Sequence, residues 1–377
     1  MRIAIIKEKS IEENRVAITP AGVNALVKSG LEIIIEEGAG VGCGFSDDTY
    51  FIAGAKHAAD FQEALDFADV IVKVLPPNDE EAIHLRSNHV LFSFNQLSLR
   101  TRRSVDSLLK NRVNSMGIEL ILSPNKSNPV LVAISELAGK MLPQIAGRYL
   151  ESTSGGRGIV LSGGPGVPSA NVVILGAGAV GLSAAKCFLG LGCQVHILDR
   201  NIEALRTVDR AFDGRVITLP ATPLDIEKTA RFADVLIGAV HISGEQTPRI
   251  VSRKVVREMK AGAVIIDMSV DQGGCFETSK PTTLSDPVYI EHDVIHYCVP
   301  NILSCVARSA SHVLNQVVLE IVRDIAARGF EDTLRENSHY QHGLLTYNGI
   351  CTNQGLANML GISSVIPASL IVSSSRN

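Results

Sequence analysis

The 377-residue chain lacks an excess of charge of either sign. Its 35 Lys and Arg residues stand against 39 Asp and Glu, a formal net charge of −4, so there is no electrostatic footprint for nucleic acid. The densest basic cluster, Arg100, Arg102 and Arg103, has no interleaved aromatics and reads as a solvated helix face. Long apolar runs are also missing. None reaches the ~18 residues of a membrane span. The N-terminal stretch turns charged at Lys7 after four apolar residues, which suits a first strand and not a signal peptide. The seven cysteines are odd in number and scattered, with no Cys-x-x-Cys. That argues against a disulfide framework or a zinc ribbon, and the expectation is reduced, buried thiols in a cytoplasmic protein. No set of histidines has metal-ligand spacing, so no metal is expected. The absence of Gly-x-Ser-x-Gly argues against a hydrolase.

What is present is organised around Asn171-Val-Val-Ile-Leu-Gly176-Ala-Gly178-Ala-Val-Gly181. A β-branched run leads into Gly-x-Gly-x-x-Gly and a helical pattern follows. A second apolar run, Gln194-Val-His-Ile-Leu, ends at Asp199, 18 residues after Gly181. This is the strand–turn–helix–strand context of a dinucleotide site. Gly176 allows the tight turn. Gly178 lets the backbone approach a pyrophosphate, with Ala179 and Val180 opening the helix behind it. Gly181 lets helix and strand pack closely. A carboxylate at Asp199 accepts hydrogen bonds from ribose hydroxyls and repels a 2′-phosphate, which favours NAD over NADP. Arg200 next to it pulls the other way.

Apolar residues at 46% and charged residues at 20% are ordinary for an α/β protein, and the length allows about two domains. Apolar runs near 3–6, 31–36, 70–74, 90–94 and 117–121 alternate with helical patterns. A second series lies at 172–175, 194–198, 216–219, 235–239 and 263–267. Strands alternating with helices predict parallel, doubly wound sheets, so the expected fold class is α/β. Long helical patterns at 132–150 and 306–329 bracket the second series. The last fifteen or so residues read as a frayed tail.

Several blocks, in order over nearly the whole chain, resemble the alanine dehydrogenase and transhydrogenase alpha-subunit family, and the alanine dehydrogenase branch in particular. They are Arg15-Val-Ala-Ile-Thr-Pro-Ala-Gly-Val, Ser135-Glu-Leu-Ala-Gly139, Gly-Gly-Pro-Gly-Val-Pro168, Ala233-Asp-Val-Leu-Ile-Gly-Ala-Val240 and Asp267-Met-Ser-Val-Asp271-Gln-Gly-Gly-Cys-Phe-Glu277. The resemblance implies two Rossmann-like domains. Residues 1–129 and 306–377 would form a substrate domain, with an NAD-binding domain at 130–305 inserted in it and a cleft between the two. It also implies a homo-oligomer, a hexamer, and an amino acid or 2-oxo acid as the small-molecule partner. The implied reaction is reversible oxidative deamination of L-alanine to pyruvate and ammonium, with NAD as hydride acceptor. Ser135, Val240, Met268, Asp271 and Asn301 would join the glycine-rich turn and Asp199 around the cofactor.

Oxidative deamination needs a carboxylate clamp, a group that polarises the carbonyl or imine, and an acid/base, all near the nicotinamide. Arg15 matches the family's substrate-binding arginine, and a guanidinium holds a carboxylate bidentately. Asp271 follows the 263–267 strand, where open α/β sheets bind ligands, and matches the family's catalytic aspartate. Lys73 and Asn301 are retained as substrate-side residues. Two positions depart from the pattern. The family's catalytic lysine is Leu75 here, in Lys73-Val-Leu75-Pro-Pro, and its acid/base histidine is Gln96, in Phe94-Asn-Gln96-Leu. Leucine cannot polarise a carbonyl, and an amide cannot exchange a proton near neutral pH. The loop Asn301-Ile-Leu-Ser-Cys-Val-Ala307 also lacks the family's two prolines. Three explanations stay open: the same chemistry with another acid/base such as His241 or water, a different amino or oxo acid, or a sensor or transhydrogenase-like subunit that binds NAD(H) with little turnover.

Overall fold

The computed structural model describes residues 1–240 and 247–373. Two compact units divide the chain: Met1–Ile134 together with the chain from Ser304 onward, and Ser135–Leu303. The strands, in chain order, are β1 (Arg2–Ile5), β2 (Glu32–Glu36), β3 (Lys56–Ala58), β4 (Val70–Val72), β5 (Val90–Ser93), β6 (Asn114–Gly117), β7 (Asn171–Leu175), β8 (Gln194–Asp199), β9 (Ile217–Pro220), β10 (Val235–Gly238), β11 (Val264–Asp267), β12 (Val288–Glu291), β13 (Val294–Tyr297), β14 (Leu344–Tyr347) and β15 (Ile350–Cys351).

In the first unit the strand order is β15-β14-β6-β5-β4-β1-β2-β3. The six strands from β6 to β3 run parallel. β14 and β15 add an antiparallel edge. Alternate side chains serve opposite faces, as the strand period of two requires. Ile3, Ile5, Ile33, Ile35, Val70, Val72 and Phe92 join Leu314, Val318 and Ile321 of the returning helix Ala307–Arg328 in one core. Ala4, Ile34, Ile71 and Leu91 turn the other way and meet Ala64, Leu65 and Leu108. Chain order reverses between β1 and β4, so the carboxyl ends of these two strands form the unit's switch point.

The second unit has the order β12-β13-β11-β10-β7-β8-β9, parallel except for β12. β10 and β11 are buried throughout, which explains why they read as unbroken apolar runs. Its switch point falls between β7 and β10, and β7 is the strand that feeds the glycine-rich turn.

Four expectations need correction or refinement. The strand expected at 117–121 is β6, three residues earlier, followed by a 3₁₀ turn at Ile118–Leu120. Its polar members disguised it. Buried Ser115 bonds Thr346 (2.7 Å), and Asn114 accepts from the Asn348 N–H (2.9 Å). Arg100 is not on a solvated face. It is 6% exposed, and its Nε donates to the Asn95 carbonyl (2.7 Å); Arg102 and Arg103 are exposed as expected. The tail forms a helix, Pro367–Ser373, with Ile371 in the core. Finally, helices Pro129–Leu150 and Ile302–Arg328 are long and apolar enough to cross a membrane by length and composition. Burial of 44% and 50% of their apolar windows within the fold gives that apolarity a core role.

Candidate active site

In the second unit the chain leaves β7 at Gly176 with φ +114°, a backbone region closed to residues with a Cβ. A Cβ there would lie 2.4 Å from the Ala239 carbonyl oxygen, and one at Gly181 would lie 2.0 Å from the Gly176 oxygen. These two glycines are steric necessities of the turn. Gly178 differs: a Cβ on it would meet no described residue within 4 Å. It is the N-cap of the twelve-residue helix Ala179–Gly190 and makes no side-chain cap bond. The first N–H groups of that helix, at Ala179 and Val180, have no side-chain cap and lie at the positive end of the helix dipole. Asp199 closes β8 beside them. One oxygen accepts from the Ala177 N–H (2.7 Å) and the other from the Asn201 N–H (2.8 Å). The carboxylate thus stitches the turn to the next strand and keeps lone pairs for a diol. The open backbone cradle and adjoining acid fit a dinucleotide.

The neighbouring strand ends complete this half. Ala239 packs against Gly176, and the carbonyl of half-buried Val240 accepts from Ser269 Oγ (2.7 Å). The Met268 N–H bonds the Gly238 carbonyl (2.8 Å). Asp271 lies in a 3₁₀ turn, Val270–Gln272, followed by Gly273 and Gly274, both at positive φ. Desolvation pushes its carboxyl up to about 6, with the Asp267 charge adding to the effect. The side chain nonetheless meets solvent, and screening there reduces the push. Ser135 lies on the long helix Pro129–Leu150, and half-buried Asn301 occupies the turn after β13. His241 lies outside the described residues.

Sequence reasoning missed Asp267. It is 1% exposed and accepts from the Ser269 N–H (2.9 Å), the Cys275 N–H (3.0 Å) and Ser279 Oγ. This carboxylate shapes the loop that carries Asp271. The available signal was an acid closing an apolar strand just ahead of a glycine-rich loop, where backbone N–H groups and the Ser279 hydroxyl are near enough to satisfy it.

In the first unit Arg15 is 6% exposed and held bidentately by Glu13, with Nε at 2.8 Å and Nη2 at 2.6 Å. Its guanidinium stands 5.8 Å from the Phe94 ring centre. Lys73, directly after β4, is 2% exposed, 2.5 Å from Glu81 and 3.7 Å from Glu8. Burial alone would lower its pKa, but the two carboxylates outweigh burial and raise it. Its ammonium is thus committed inside the protein. Leu75 is 8% exposed. Gln96, half-buried, adopts φ +34°, a left-handed conformation costly for a residue with a Cβ. Beneath it Glu119 accepts the Asn95 N–H (2.8 Å). Desolvation pushes Glu119 up to about 7 and brings Arg100 down to about 10. Asn95 Oδ1, Arg100 Nη1 and Glu119 Oε2 are buried with no hydrogen-bond partner among the described residues. Arg15, Lys73 and Gln96 therefore all belong to the carboxyl edge of one sheet, which also gathers Glu8, Glu13 and Glu81.

Fold and geometry together define a two-unit α/β protein with a dinucleotide-type turn in one unit and a buried, charge-rich sheet edge in the other. The comparisons make this specific. A family model described as alanine dehydrogenase/PNT, N-terminal domain, matches residues 4–138, and one described as alanine dehydrogenase/PNT, C-terminal domain, matches residues 143–354. The chain belongs to the alanine dehydrogenase/PNT family. An alanine dehydrogenase of Halomonas elongata is 39% identical over 372 residues, covering 98% of this chain and 100% of that one. A solved L-alanine dehydrogenase superposes with a TM-score of 0.91 at 36% identity, over 96% of this chain and 99% of that one. A transhydrogenase structure from Sinorhizobium meliloti shares the fold, with a TM-score of 0.77 at 23% identity over 94% and 99% of the two chains.

Proposed function

We propose that the protein is an NAD-dependent dehydrogenase that interconverts L-alanine with pyruvate and ammonium. The observation that carries this reading is the full-length kinship with proteins named alanine dehydrogenase. The open cradle at Gly178 and the rigidly held Arg15 support it. When bound, NAD supplies the hydride acceptor. The N–H groups of Ala179 and Val180 bind its pyrophosphate, and Asp199 takes the adenosine ribose. Ser135, Val240, Met268 and Asn301 line the remainder of the cofactor's path. Arg15, fixed by Glu13 and Phe94, orients the substrate carboxylate through its remaining N–H groups, with Asn301 as a second substrate contact. Lys73, paired with Glu81 and Glu8, holds those carboxylates in place at the sheet edge. The Gln96 amide donates to the carbonyl or imine side, and Asp271 assists the proton steps. The seven cysteines form no disulfide, which supports a reducing compartment, the cytoplasm. Assembly into a homo-oligomer, a hexamer, belongs to the same reading.

A second reading rests on Leu75 and Gln96, which stand where the resemblance places lysine and histidine. With buried leucine at the first position, the protein would act on another amino or oxo acid, or bind NAD(H) with little turnover. The deciding experiment is NADH oxidation with ammonium and a panel of 2-oxo acids, with NADH binding measured on the same sample. Turnover on pyruvate is expected. Tight NADH binding without turnover on any oxo acid would overturn the dehydrogenase reading in favour of a binding subunit.

A further inference from the structure

Four carboxylates and three cations meet at the carboxyl edge of the first sheet. Glu13 holds Arg15 at 2.6 Å, Glu81 holds Lys73 at 2.5 Å, and Glu36 holds Lys9 at 2.9 Å. Glu8 is the fourth acid; among the described residues its one ion pair is with Lys73, which lies 3.7 Å away and holds Glu81 more closely. Its closer partners are dipoles, the N–H groups of Val74 at 2.6 Å and Leu75 at 3.4 Å. Only 5% of its side chain meets solvent. The carboxylate left without a dedicated counter-charge in a buried cluster is the one that holds a proton most readily. The charged groups nearest Glu8 are Lys73 after β4, Glu81 on helix Asp79–His84, and Glu13 on its own loop; across the hollow it borders stand Lys7 and Lys9 of the same loop, Glu36 and Glu37 at the end of β2, Asp47, Asp60 and His84. Desolvation outweighs the Lys73 charge and pushes Glu8 up to about 7.

Position gives this odd carboxyl a use. It stands at the switch point between β1 and β4, bonded to the backbone of Leu75, where the side chain itself carries no proton. It also borders a hollow of about 1020 Å³ through which protons can reach water. We propose that Glu8 is the proton-transfer residue of the substrate site, in place of side chains at positions 75 and 96. This rests on the dehydrogenase reading. In deamination the substrate ammonium first loses a proton to solvent, hydride then passes from Cα to NAD, and an iminium is left. The Glu8 carboxylate takes the proton that water loses as its oxygen bonds to the imine carbon, and returns it to nitrogen. As the C–N bond breaks, its electron pair leaves with ammonia. The hydroxyl proton then passes to Glu8 and on to solvent, which restores the carboxylate.

The test is the pH dependence of kcat/KM for L-alanine oxidation by the full chain, by Glu8→Gln and by Glu8→Asp, with NADH affinity and melting temperature measured on the same samples. The wild type should lose activity below an apparent pKa near neutrality. Glu8→Gln should lose that acid limb and about 100-fold or more of kcat, with NADH affinity kept within about two-fold. Glu8→Asp should recover the limb. A Glu8→Gln enzyme that keeps the limb and a kcat within about three-fold overturns the proposal and leaves the dehydrogenase reading intact. A wild type that oxidises no amino acid overturns that reading, and the Glu8 assignment falls with it. If Glu8→Gln does not fold, calorimetry of pyruvate binding to the NADH-loaded wild type at pH 7, in two buffers of different ionisation heat, decides. Proton uptake supports Glu8, and its absence overturns the proposal.

Discussion

In the second unit the groups that matter are backbone N–H groups, set in place by Gly176, Gly178 and Gly181 within six residues of chain. In the first they are long side chains drawn from positions 8, 13, 15, 36, 73 and 81 to one sheet edge. A backbone cradle depends on local sterics, so its parts fail one at a time. The charged edge is a set of mutual debts, in which each side chain's burial is tolerable only while its partner stays. Removing one member of the edge should therefore cost more stability than removing one member of the cradle.

The largest effect is expected at Arg15. Arg15→Ala leaves Glu13, whose side chain is wholly out of solvent, without its counter-charge, and should destabilise the first unit by about 3–5 kcal/mol in chemical denaturation. Replacing both partners, as in Glu13→Gln with Arg15→Met, should recover most of that loss while oxo-acid binding stays absent. Equal destabilisation by the single and double variants would show that the pair is not what holds this edge together.

Glu119 extends the same logic to pH. Its folded pKa of about 7 lies above the ordinary carboxyl value of 4.5, so the native state holds a proton that the unfolded chain has released. Stability from this group is complete below about pH 4.5 and is lost as pH rises through 7, by roughly 3 kcal/mol at most. Glu119→Gln, which keeps an acceptor for the Asn95 N–H, should flatten that slope. Unchanged slopes in urea melts between pH 5 and 8 would mean that Glu119 is ionised throughout.

The same contrast explains what could be read from the sequence. The turn after β7 was legible because its requirements are local: an apolar strand, glycines at fixed offsets, and an acid at the end of the next strand. The charged edge was only partly legible. Arg15 and Lys73 could be picked out, but not their pairing with Glu13, Glu8 and Glu81, because no periodicity says which acids a fold brings to a given base. β6 was placed three residues too late for a related reason. Asn114 and Ser115 look like loop residues until Thr346 and Asn348 arrive from the far end of the chain to satisfy them. Arg100 looked solvated because its partners are backbone carbonyls, which leave no mark in side-chain patterning.

Within the cradle, two glycines should behave differently. Gly181→Ala drives a Cβ to 2.0 Å from the Gly176 oxygen and should cost about 1–3 kcal/mol of stability, since the backbone must shift to admit it. Gly178→Ala adds a Cβ that meets no described residue, so stability should change by less than about 0.5 kcal/mol. Its methyl would instead stand where the pyrophosphate must approach, and NADH should bind about ten-fold more weakly. Similar melting temperatures for the two variants would remove the steric distinction between them.

The smallest effect on stability, and the sharpest on selectivity, is expected at Asp199. Its oxygens accept the Ala177 and Asn201 N–H groups, so Asp199→Ala would mix two losses, the stitching of the turn and the charge proposed to select the cofactor. Asp199→Asn separates them, because its amide oxygen can still accept one backbone N–H while the negative charge is gone. Wild-type protein should bind NADH more tightly than NADPH. In Asp199→Asn the ratio of the two affinities should fall about ten-fold, equivalent to about 1.4 kcal/mol, with the melting temperature nearly unchanged. With the carboxylate gone, exposed Arg200 beside it is the natural counter-charge for a 2′-phosphate, and Arg200→Ala in the Asp199→Asn background should weaken NADPH but not NADH. Titrations that show both cofactors weakened equally by Asp199→Asn would make Asp199 a structural stitch alone. The choice of cofactor would then lie elsewhere in the turn.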